Sequence, residues 1–150
     1  MTGDQTDLVV ARVLHPGSGS GRTFSIAPVS FWGGVDADGT VADVHHPAHG
    51  ESLTGRALVL ETSKGSSSGS SVLAELIVTG QAPALIVVSE PDAVIVSGCL
   101  AAAEISGIRL PVVQVTRGDL VRLGETRALT VDCAETPIGQ LTRVGADRSP

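Results

Sequence analysis

The residues of this sequence that could carry out chemistry are concentrated at positions 64–71, a segment with five serines, two glycines and the only lysine of the chain. Positions 57–60 form an apolar run that predicts a buried strand, and positions 72–77 carry the apolar face of a helix. A strand, a tight loop and a helix N-terminus direct backbone N–H groups and the positive end of a helix dipole at one point. The segment therefore predicts a loop that holds an anion, or that makes one serine hydroxyl unusually reactive.

Two simpler interpretations of this segment compete with that prediction. Glycine- and serine-rich tracts commonly serve as flexible linkers, and a serine before a helix commonly caps it, which contributes about 1 kcal/mol. The tract at 64–71 is flanked closely by a predicted buried strand and a predicted helix, and this context favours an ordered loop. The tract has neither the G-x-x-x-x-G-K-[ST] order of a nucleotide-binding P-loop nor the G-x-G-x-x-G pattern.

Length and composition indicate one globular domain. The chain has 150 residues, of which 42% are hydrophobic and 2% aromatic, so its core must consist of valine, isoleucine, leucine and alanine. No apolar run approaches the roughly 18 residues of a membrane span, and the polar N-terminus lacks a signal-peptide core. We therefore expect a cytoplasmic protein with a single domain over residues 1–144 and a disordered polar tail at 145–150.

Charge argues against nucleic-acid binding, because the net charge is −6, the arginines are scattered and few aromatic side chains could stack on bases. Cys99 and Cys133 lack C-x-x-C spacing, which predicts two buried free thiols rather than a metal or redox motif. His45, His46 and His49 could suggest a zinc site. Pro47 interrupts any helical spacing and no acidic or cysteine ligand lies at a suitable distance, so a polar loop is favoured.

The aromatic side chains mark a second unusual segment at positions 28–36, which contains the only tryptophan, Trp32, followed by Gly33 and Gly34. Tryptophan is common at binding anchors, so this segment could be a binding-site wall or a partner surface. It could equally be an aromatic plug in the core, placed before a hairpin turn at 36–39. The sequence leaves both interpretations open.

The remaining pattern predicts the elements that must hold these segments. Strands are predicted at 8–14, 23–26, 57–60, 84–88, 111–115 and 127–132. Helices are predicted from the serine loop to about 79 and over 93–106, and turns at 15–21 and 118–120. Because strands alternate with helices after position 57, parallel pairing follows, and the N-terminal strands add a second β layer. The prediction is an α/β fold of three layers, β/β/α, with the serine loop at the carboxyl end of its strand, where ligands bind in such sheets.

Four motifs in chain order resemble the swivel domain of aconitase X. They are positions 28–36 (PVSFWGGVD), 55–60 (GRALVL), 64–71 (KGSSSGSS) and 82–84 (APA), and the similarity runs from about Leu8 to Val115. The resemblance implies a β/β/α swivel domain like the last domain of aconitase. It also implies a hydro-lyase whose iron–sulfur cluster and most substrate contacts belong to a large subunit or a fused domain. This chain would then be the small subunit of a two-chain dehydratase, with no cofactor or metal of its own.

The resemblance also implies roles for single residues. The first serine after the glycine, Ser66, matches the serine that acts as the catalytic base in aconitase-like swivel domains, and Lys64, Gly65, Ser67 and Ser68 are expected to bind substrate. The family often has arginine before that glycine, whereas this sequence has Lys64, which offers a point charge rather than a planar fork. A serine can act as a base only when its alkoxide is stabilised, and a helix N-terminus, backbone N–H groups and Lys64 could provide this.

Two substrates are known for this family. Bacterial members dehydrate cis-3-hydroxy-L-proline to a pyrroline-2-carboxylate, and archaeal members dehydrate mevalonate 5-phosphate. The Phe-Trp-Gly-Gly form at 31–34 and the His46-Pro47 pair resemble the bacterial members, which favours hydroxyproline. The alternatives are the small subunit of a mevalonate 5-phosphate dehydratase, or a non-catalytic subunit that binds an anion or regulates a partner.

Overall fold

Seven strands form one closed barrel in the computed structural model, which describes residues 6–149. In spatial order the strands run β1-β5-β4-β3-β2-β6-β7. In chain order they are β1 (Thr6–His15), β2 (Ser18–Ser25), β3 (Ala57–Val59), β4 (Leu85–Val88), β5 (Val112–Gln114), β6 (Ala128–Asp132) and β7 (Leu141–Asp147). The helices are α1 (Phe31–Gly34), α2 (Gly69–Val78), α3 (Ala93–Ser106) and α4 (Arg117–Gly124). The polar N-terminal residues 1–5 and Pro150 lie outside the described range.

The barrel has a parallel half and an antiparallel half. Strands β2, β3, β4 and β5 pair in parallel, whereas β1, β6 and β7 pair in antiparallel fashion. The two long strands belong to both halves: β1 pairs with β7 and then with β5, and β2 pairs with β6 and then with β3. The α/β prediction is confirmed, and the two predicted β layers prove to be joined at both edges.

Two hydrophobic cores separate the layers. Leu58 and Ile86 belong to the core between the parallel strands and helices α2 and α3, whereas Val59 and Val87 belong to the core inside the barrel. Because neighbouring residues of one strand face opposite sides, a strand between two cores must be apolar throughout. This explains the continuous apolar runs of β3 and β4. The layers are therefore helices, parallel strands and antiparallel strands.

The turn predicted at 15–21 is wrong, because most of it belongs to β2. A Cβ atom at Gly19 would lie 2.1 Å from the carbonyl oxygen of Ala84. Glycine is therefore present here because a neighbouring backbone approaches closely, and not because the chain turns. Sequence spacing alone does not distinguish these two uses of glycine.

Two predictions about the C-terminal third also need correction. The turn at 118–120 lies within helix α4, whose first turn is capped by Thr116 Oγ1 accepting from the N–H of Asp119 at 3.1 Å. The disordered tail at 145–150 is wrong for its first three residues, which belong to β7 and pair with β1 and β6. In β7 only Val144 and Ala146 are buried, so the apolar signal is too short to predict a strand.

The predicted helix at 93–106 is confirmed as α3, which ends at Gly107 with a φ angle of 75°. The helix after the serine loop is confirmed as α2, which ends one residue before the predicted position 79. None of the helices within residues 6–149 is both long enough and apolar enough to cross a membrane.

Candidate active site

The serine loop lies where the sequence predicted, between the carboxyl end of β3 and the start of α2. The chain leaves β3 through Leu60, whose N–H donates to Val87 of β4 at 3.1 Å. Residues 64–68 are exposed, and burial resumes at Gly69, the first residue of α2. The structure therefore brings the five predicted site residues together on one exposed loop, while the role of each stays a prediction.

Hydrogen bonds within the loop show that it is an ordered turn and not a linker. Ser66 Oγ accepts from the N–H of Ser68 at 3.1 Å, and the Ser66 carbonyl accepts from the N–H of Gly69 at 3.0 Å. The Ser67 carbonyl accepts from both the N–H and the hydroxyl of Ser70, at 3.1 and 2.9 Å. Ser68 is the N-cap residue of α2, but its side chain makes no capping bond. The serine-cap interpretation therefore does not hold for Ser68.

Several polar groups of the loop remain available to a ligand. Within residues 6–149, no hydrogen bond uses the backbone N–H groups of Gly65, Ser66 or Ser67. The ammonium group of Lys64 takes part in none of the ion pairs found in that part of the chain. Three N–H groups and a cation on one short turn suit an anion such as a carboxylate. The unused N–H groups precede the helix, because turn bonds occupy those of its first residues.

A second segment supports the loop from one side. The N–H of Lys64 donates to the carbonyl of Val29 at 3.0 Å, and the hydroxyl of Ser30 donates to the carbonyl of Trp32 at 2.8 Å. Gly65 has a φ angle of 87°, and a Cβ atom there would lie 2.4 Å from Ser30 Oγ. Glycine is therefore required at position 65 both by its backbone conformation and by the contact with Ser30.

The sequence left two roles open for the aromatic segment, a plug in the core and a binding surface, and the structure assigns one to Phe31 and leaves Trp32 suited to the other. Phe31 is 1% exposed and belongs to the core under α2, so it is the aromatic plug. Trp32 is 60% exposed, and its backbone nitrogen lies 3.5 Å from the Cβ position of Gly69 at the end of the loop. The large apolar ring of Trp32 is thus presented to solvent beside the candidate site, as expected for a wall or a partner surface.

Asp92 contacts the start of the serine loop and is a residue that the sequence patterns did not single out. Its carboxylate accepts hydrogen bonds from the Thr62 hydroxyl at 2.8 Å, the Ser63 N–H at 2.6 Å and the Ile95 N–H at 3.0 Å. Burial raises the pKa of Asp92, but the hydrogen bonds from Ile95, Ser63 and Thr62 outweigh it and hold the pKa below its ordinary value. The available signal was an aspartate directly before a predicted helix, which is typical of an N-cap.

The histidines do not come together as ligands. His46 is buried, and both ring nitrogens contact backbone: Nδ1 accepts from the N–H of Ala48, and Nε2 lies 2.9 Å from the carbonyl of Ala27. His45 and His49 are exposed. Through these contacts His46 stabilises its loop. The segment is therefore a polar loop, which the sequence analysis favoured over a zinc site.

The cysteines are buried free thiols, as predicted. Burial raises the pKa of Cys99 to about 12, and burial is also the main cause that raises the pKa of Cys133. Neither thiol is therefore a ready nucleophile or thiolate ligand at neutral pH. No group of three or more His, Cys, Asp or Glu side chains that could hold a metal ion occurs within residues 6–149.

The concave surface beside the loop is small. A depression of about 140 Å³ lies between the N-terminal ends of α2 and α3, and it is lined by Ser67, Ser70, Ala93, Val94 and Ser97. Complete small-molecule sites usually enclose about 300 Å³ or more. A larger cavity of about 370 Å³ lies away from the loop, beside β2 and the end of α2. Within residues 6–149, the depression beside the loop is thus smaller than a complete small-molecule site.

The fold and the loop define an α/β swivel-type domain, with an exposed serine turn at the carboxyl end of its parallel strands. Residues 8–138 match the family model described as the aconitase X swivel domain. Because this match covers most of the chain, the chain belongs to that family. The resemblance predicted from the four motifs is thereby confirmed.

Known relatives agree with this assignment. Over 107 residues the chain is 46% identical to the cis-3-hydroxy-L-proline dehydratase of Pseudomonas aeruginosa. The match covers 70% of this chain but only 18% of that protein, so this chain spans less than one fifth of the relative's length. It is 35% identical over 133 residues to the phosphomevalonate dehydratase small subunit of Methanothermobacter thermautotrophicus, covering 87% of this chain and 97% of that one. The crystal structure of holo-form aconitase X from Thermococcus kodakaraensis matches with a TM-score of 0.72 and 28% identity, over 93% of this chain and 98% of that chain.

Proposed function

We propose that this chain is the small swivel subunit of an aconitase X-type dehydratase and that Ser66 is its catalytic base. The observation that carries the proposal is the ordered, exposed turn in which Ser66 Oγ already accepts a backbone hydrogen bond from Ser68 at 3.1 Å. Relatives named as dehydratases, at 46% and 35% identity, support the reaction class.

The proposed reaction removes a proton from carbon and a hydroxide from the neighbouring carbon of a hydroxy acid. Ser66, as its alkoxide, takes the proton; the C–H electron pair forms the double bond as the C–O bond breaks. The N–H of Ser68 and the positive end of the α2 dipole stabilise negative charge on Ser66 Oγ. Lys64 and the unused N–H groups of Gly65 and Ser67 bind the substrate carboxylate.

The proposal assigns the remaining chemistry to a large-subunit partner. The described residues do not fit an iron–sulfur cluster, because they offer no cluster of ligands and both thiols are buried. We therefore expect the cluster, the acceptor of the hydroxide and most substrate contacts on the partner, and derive no step through a metal on this chain. A cytoplasmic location belongs to the proposal, because two free buried cysteines suit a reducing compartment.

For the substrate we propose cis-3-hydroxy-L-proline. The Phe-Trp-Gly-Gly form at 31–34 and the His46-Pro47 pair, which resemble the bacterial members, support this choice. Identity alone separates the two substrates only weakly, since it is 46% over 107 residues to the Pseudomonas aeruginosa dehydratase and 44% over 100 residues to the phosphomevalonate dehydratase small subunit of Methanopyrus kandleri. Mevalonate 5-phosphate is the second candidate, and a specific observation favours it: the match covers 97% of the Methanothermobacter small subunit, so the two chains correspond almost from end to end.

The test is co-expression of this chain with a candidate large subunit, sought among the genes next to its own, followed by anaerobic turnover assays. We expect a coloured two-chain complex that dehydrates cis-3-hydroxy-L-proline faster than mevalonate 5-phosphate, and no turnover by this chain alone. Turnover of only mevalonate 5-phosphate would replace the proposed substrate with the second candidate. A complex that acts on neither compound would favour a subunit that only regulates its partner, and no complex at all would favour a non-catalytic module that binds an anion.

A further inference from the structure

The loop that carries Ser66 is attached at its beginning to the buried carboxylate of Asp92. Oδ2 of Asp92 accepts from both the Thr62 hydroxyl and the Ser63 N–H, at 2.8 and 2.6 Å. Oδ1 accepts from the N–H of Ile95 in the first turn of α3, at 3.0 Å. The residue is 6% exposed, so water does not compete effectively for these bonds.

The two carboxylate oxygens have different tasks. Capping a helix requires one acceptor, and Oδ1 supplies it for α3. Thr116 caps α4 in the same way with a single oxygen, accepting from Asp119 at 3.1 Å. The bonds of Asp92 Oδ2 go to residues 30 and 29 positions earlier in the chain, which lie between β3 and the serine loop. The second oxygen therefore serves the loop and not the helix.

We propose that Asp92 is a positioning residue for Ser66, acting through the backbone that it holds at Thr62 and Ser63. The proposal rests on the proposed function of Ser66 as the base. Two residues, Lys64 and Gly65, separate Ser63 from Ser66, and at its far end the turn is fixed by entry into α2 at Gly69. Since that end is fixed by the helix, the direction in which the chain enters the turn at Ser63, together with the bond from the Lys64 N–H to Val29, sets where Ser66 Oγ points.

The charge of Asp92 strengthens this attachment. The hydrogen bonds from Ile95, Ser63 and Thr62 hold the pKa of Asp92 below its ordinary value despite burial, so the group is an anion at neutral pH. Hydrogen bonds to a carboxylate are shorter and stronger than those between neutral groups. The anion also lies at the positive end of the α3 dipole. A neutral side chain of the same shape would lose both the stronger hydrogen bonds and the favourable interaction with the α3 dipole.

The test compares three substitutions in the complex with the large subunit. Asp92→Asn keeps the shape but offers one acceptor oxygen, so it cannot serve both the helix and the loop. Thr62→Val removes one bond to the loop and leaves the helix cap in place. Thr116→Ala is the control, because it removes a helix cap that makes no contact with the loop. We expect kcat to fall about 10- to 100-fold in Asp92→Asn, since misplacing a catalytic group by about 1 Å can cost 100-fold. The fall should be smaller in Thr62→Val and absent in Thr116→Ala.

A purely structural role of Asp92 is separated from positioning by repeating Asp92→Asn and Thr62→Val in a Ser66→Ala background. If Asp92 acts through Ser66, these substitutions lower the residual rate no further. Equal fold-losses with and without Ser66 would overturn the proposal. Where Asp92→Asn fails to fold, the same comparison with Thr62→Val decides.

A measurement without turnover separates this proposal from the proposed function. In NMR spectra of the full chain, we expect the backbone amide signals of residues 64–68 to shift or broaden in Asp92→Asn and Thr62→Val, but not in Thr116→Ala. If the wild-type complex has no dehydratase activity, the proposed function fails, and these spectra alone decide whether Asp92 positions the loop. Unchanged signals at residues 64–68 in both variants would overturn the proposal.

Discussion

Replacing Ser66 with alanine should lower activity without disturbing folding, because the Ser66 side chain makes only one hydrogen bond within residues 6–149. Ser66 Oγ accepts one exposed hydrogen bond, from the N–H of Ser68 at 3.1 Å, while the Ser66 carbonyl keeps its bond from Gly69. Loss of one such bond costs about 1 kcal/mol of folding free energy. Loss of a general base lowers kcat by about 10²–10⁴, which corresponds to roughly 3–5 kcal/mol of activation free energy.

The assay is steady-state turnover of cis-3-hydroxy-L-proline by the anaerobic complex, with the free energy of unfolding measured on the same preparations. Ser67→Ala is the matched control, since the Ser67 hydroxyl makes no hydrogen bond within residues 6–149. We expect Ser67→Ala and Ser68→Ala to raise KM more than they lower kcat, as lost ground-state contacts do, and Lys64→Ala to fall between these and Ser66→Ala. If Ser66→Ala keeps more than about a tenth of kcat, another residue is the base, and the loop only binds an anion.

Three further predictions follow from the contacts around the loop. Gly65→Ala should lower the free energy of unfolding by about 1–3 kcal/mol or more, because the φ angle at Gly65 is 87° and the new Cβ atom would lie 2.4 Å from Ser30 Oγ. In chemical denaturation, adding Ser30→Gly should restore part of the lost stability. If it restores none, the contact with Ser30 is not the cause of the loss. The fluorescence of Trp32, which is 60% exposed, should shift to the blue when the large subunit binds; an unchanged spectrum of the assembled complex would place Trp32 outside the interface. The pKa of Asp92 lies below its ordinary value of 3.8, so its carboxylate stabilises the fold above that pH and the effect is lost as pH falls through the lowered value. The stability difference between wild type and Asp92→Asn should therefore stay constant from about pH 7 to 5 and shrink below about pH 4, whereas a decline between pH 7 and 5 would refute the sign.

The parts of the fold that could be predicted are those whose signal is local. Strands β3 and β4 can be predicted from their continuous apolar runs. Both faces of each strand are buried, which leaves no position for a polar residue. Helix α3 has an aspartate before its first turn and Gly107 after its last one. The location of the serine loop followed from these neighbours, since a tract between a buried strand and a helix can only lie at the end of the sheet.

The parts that could not be predicted depend on residues far apart in the sequence. Gly19 allows Ala84 to approach β2, and no residue near position 19 in the sequence indicates that Ala84 will be its neighbour. Strand β7 buries only Val144 and Ala146, and it forms because β1 and β6 both leave an edge for it. Asp92 could be predicted as a helix cap, but its bonds to the loop require the folded structure, because their partners are 29 and 30 residues away.

Under the proposed function, the exposure of the loop means that a partner must close over Ser66 before it can act as a base. A serine alkoxide in water is a strong base that solvent protonates, so Ser66 can serve as a base only where water is excluded and fixed donors replace it. On this chain Ser66 lies on an open turn beside a depression of about 140 Å³, and the donors that would hold its charge face solvent. Docking of a second surface over the loop and Trp32 would remove that water and strengthen every electrostatic contact within the site. The turn therefore has the groups that the proposed base requires but lacks a dry environment around them, and this is the physical reason to expect dehydration only from the proposed two-chain complex.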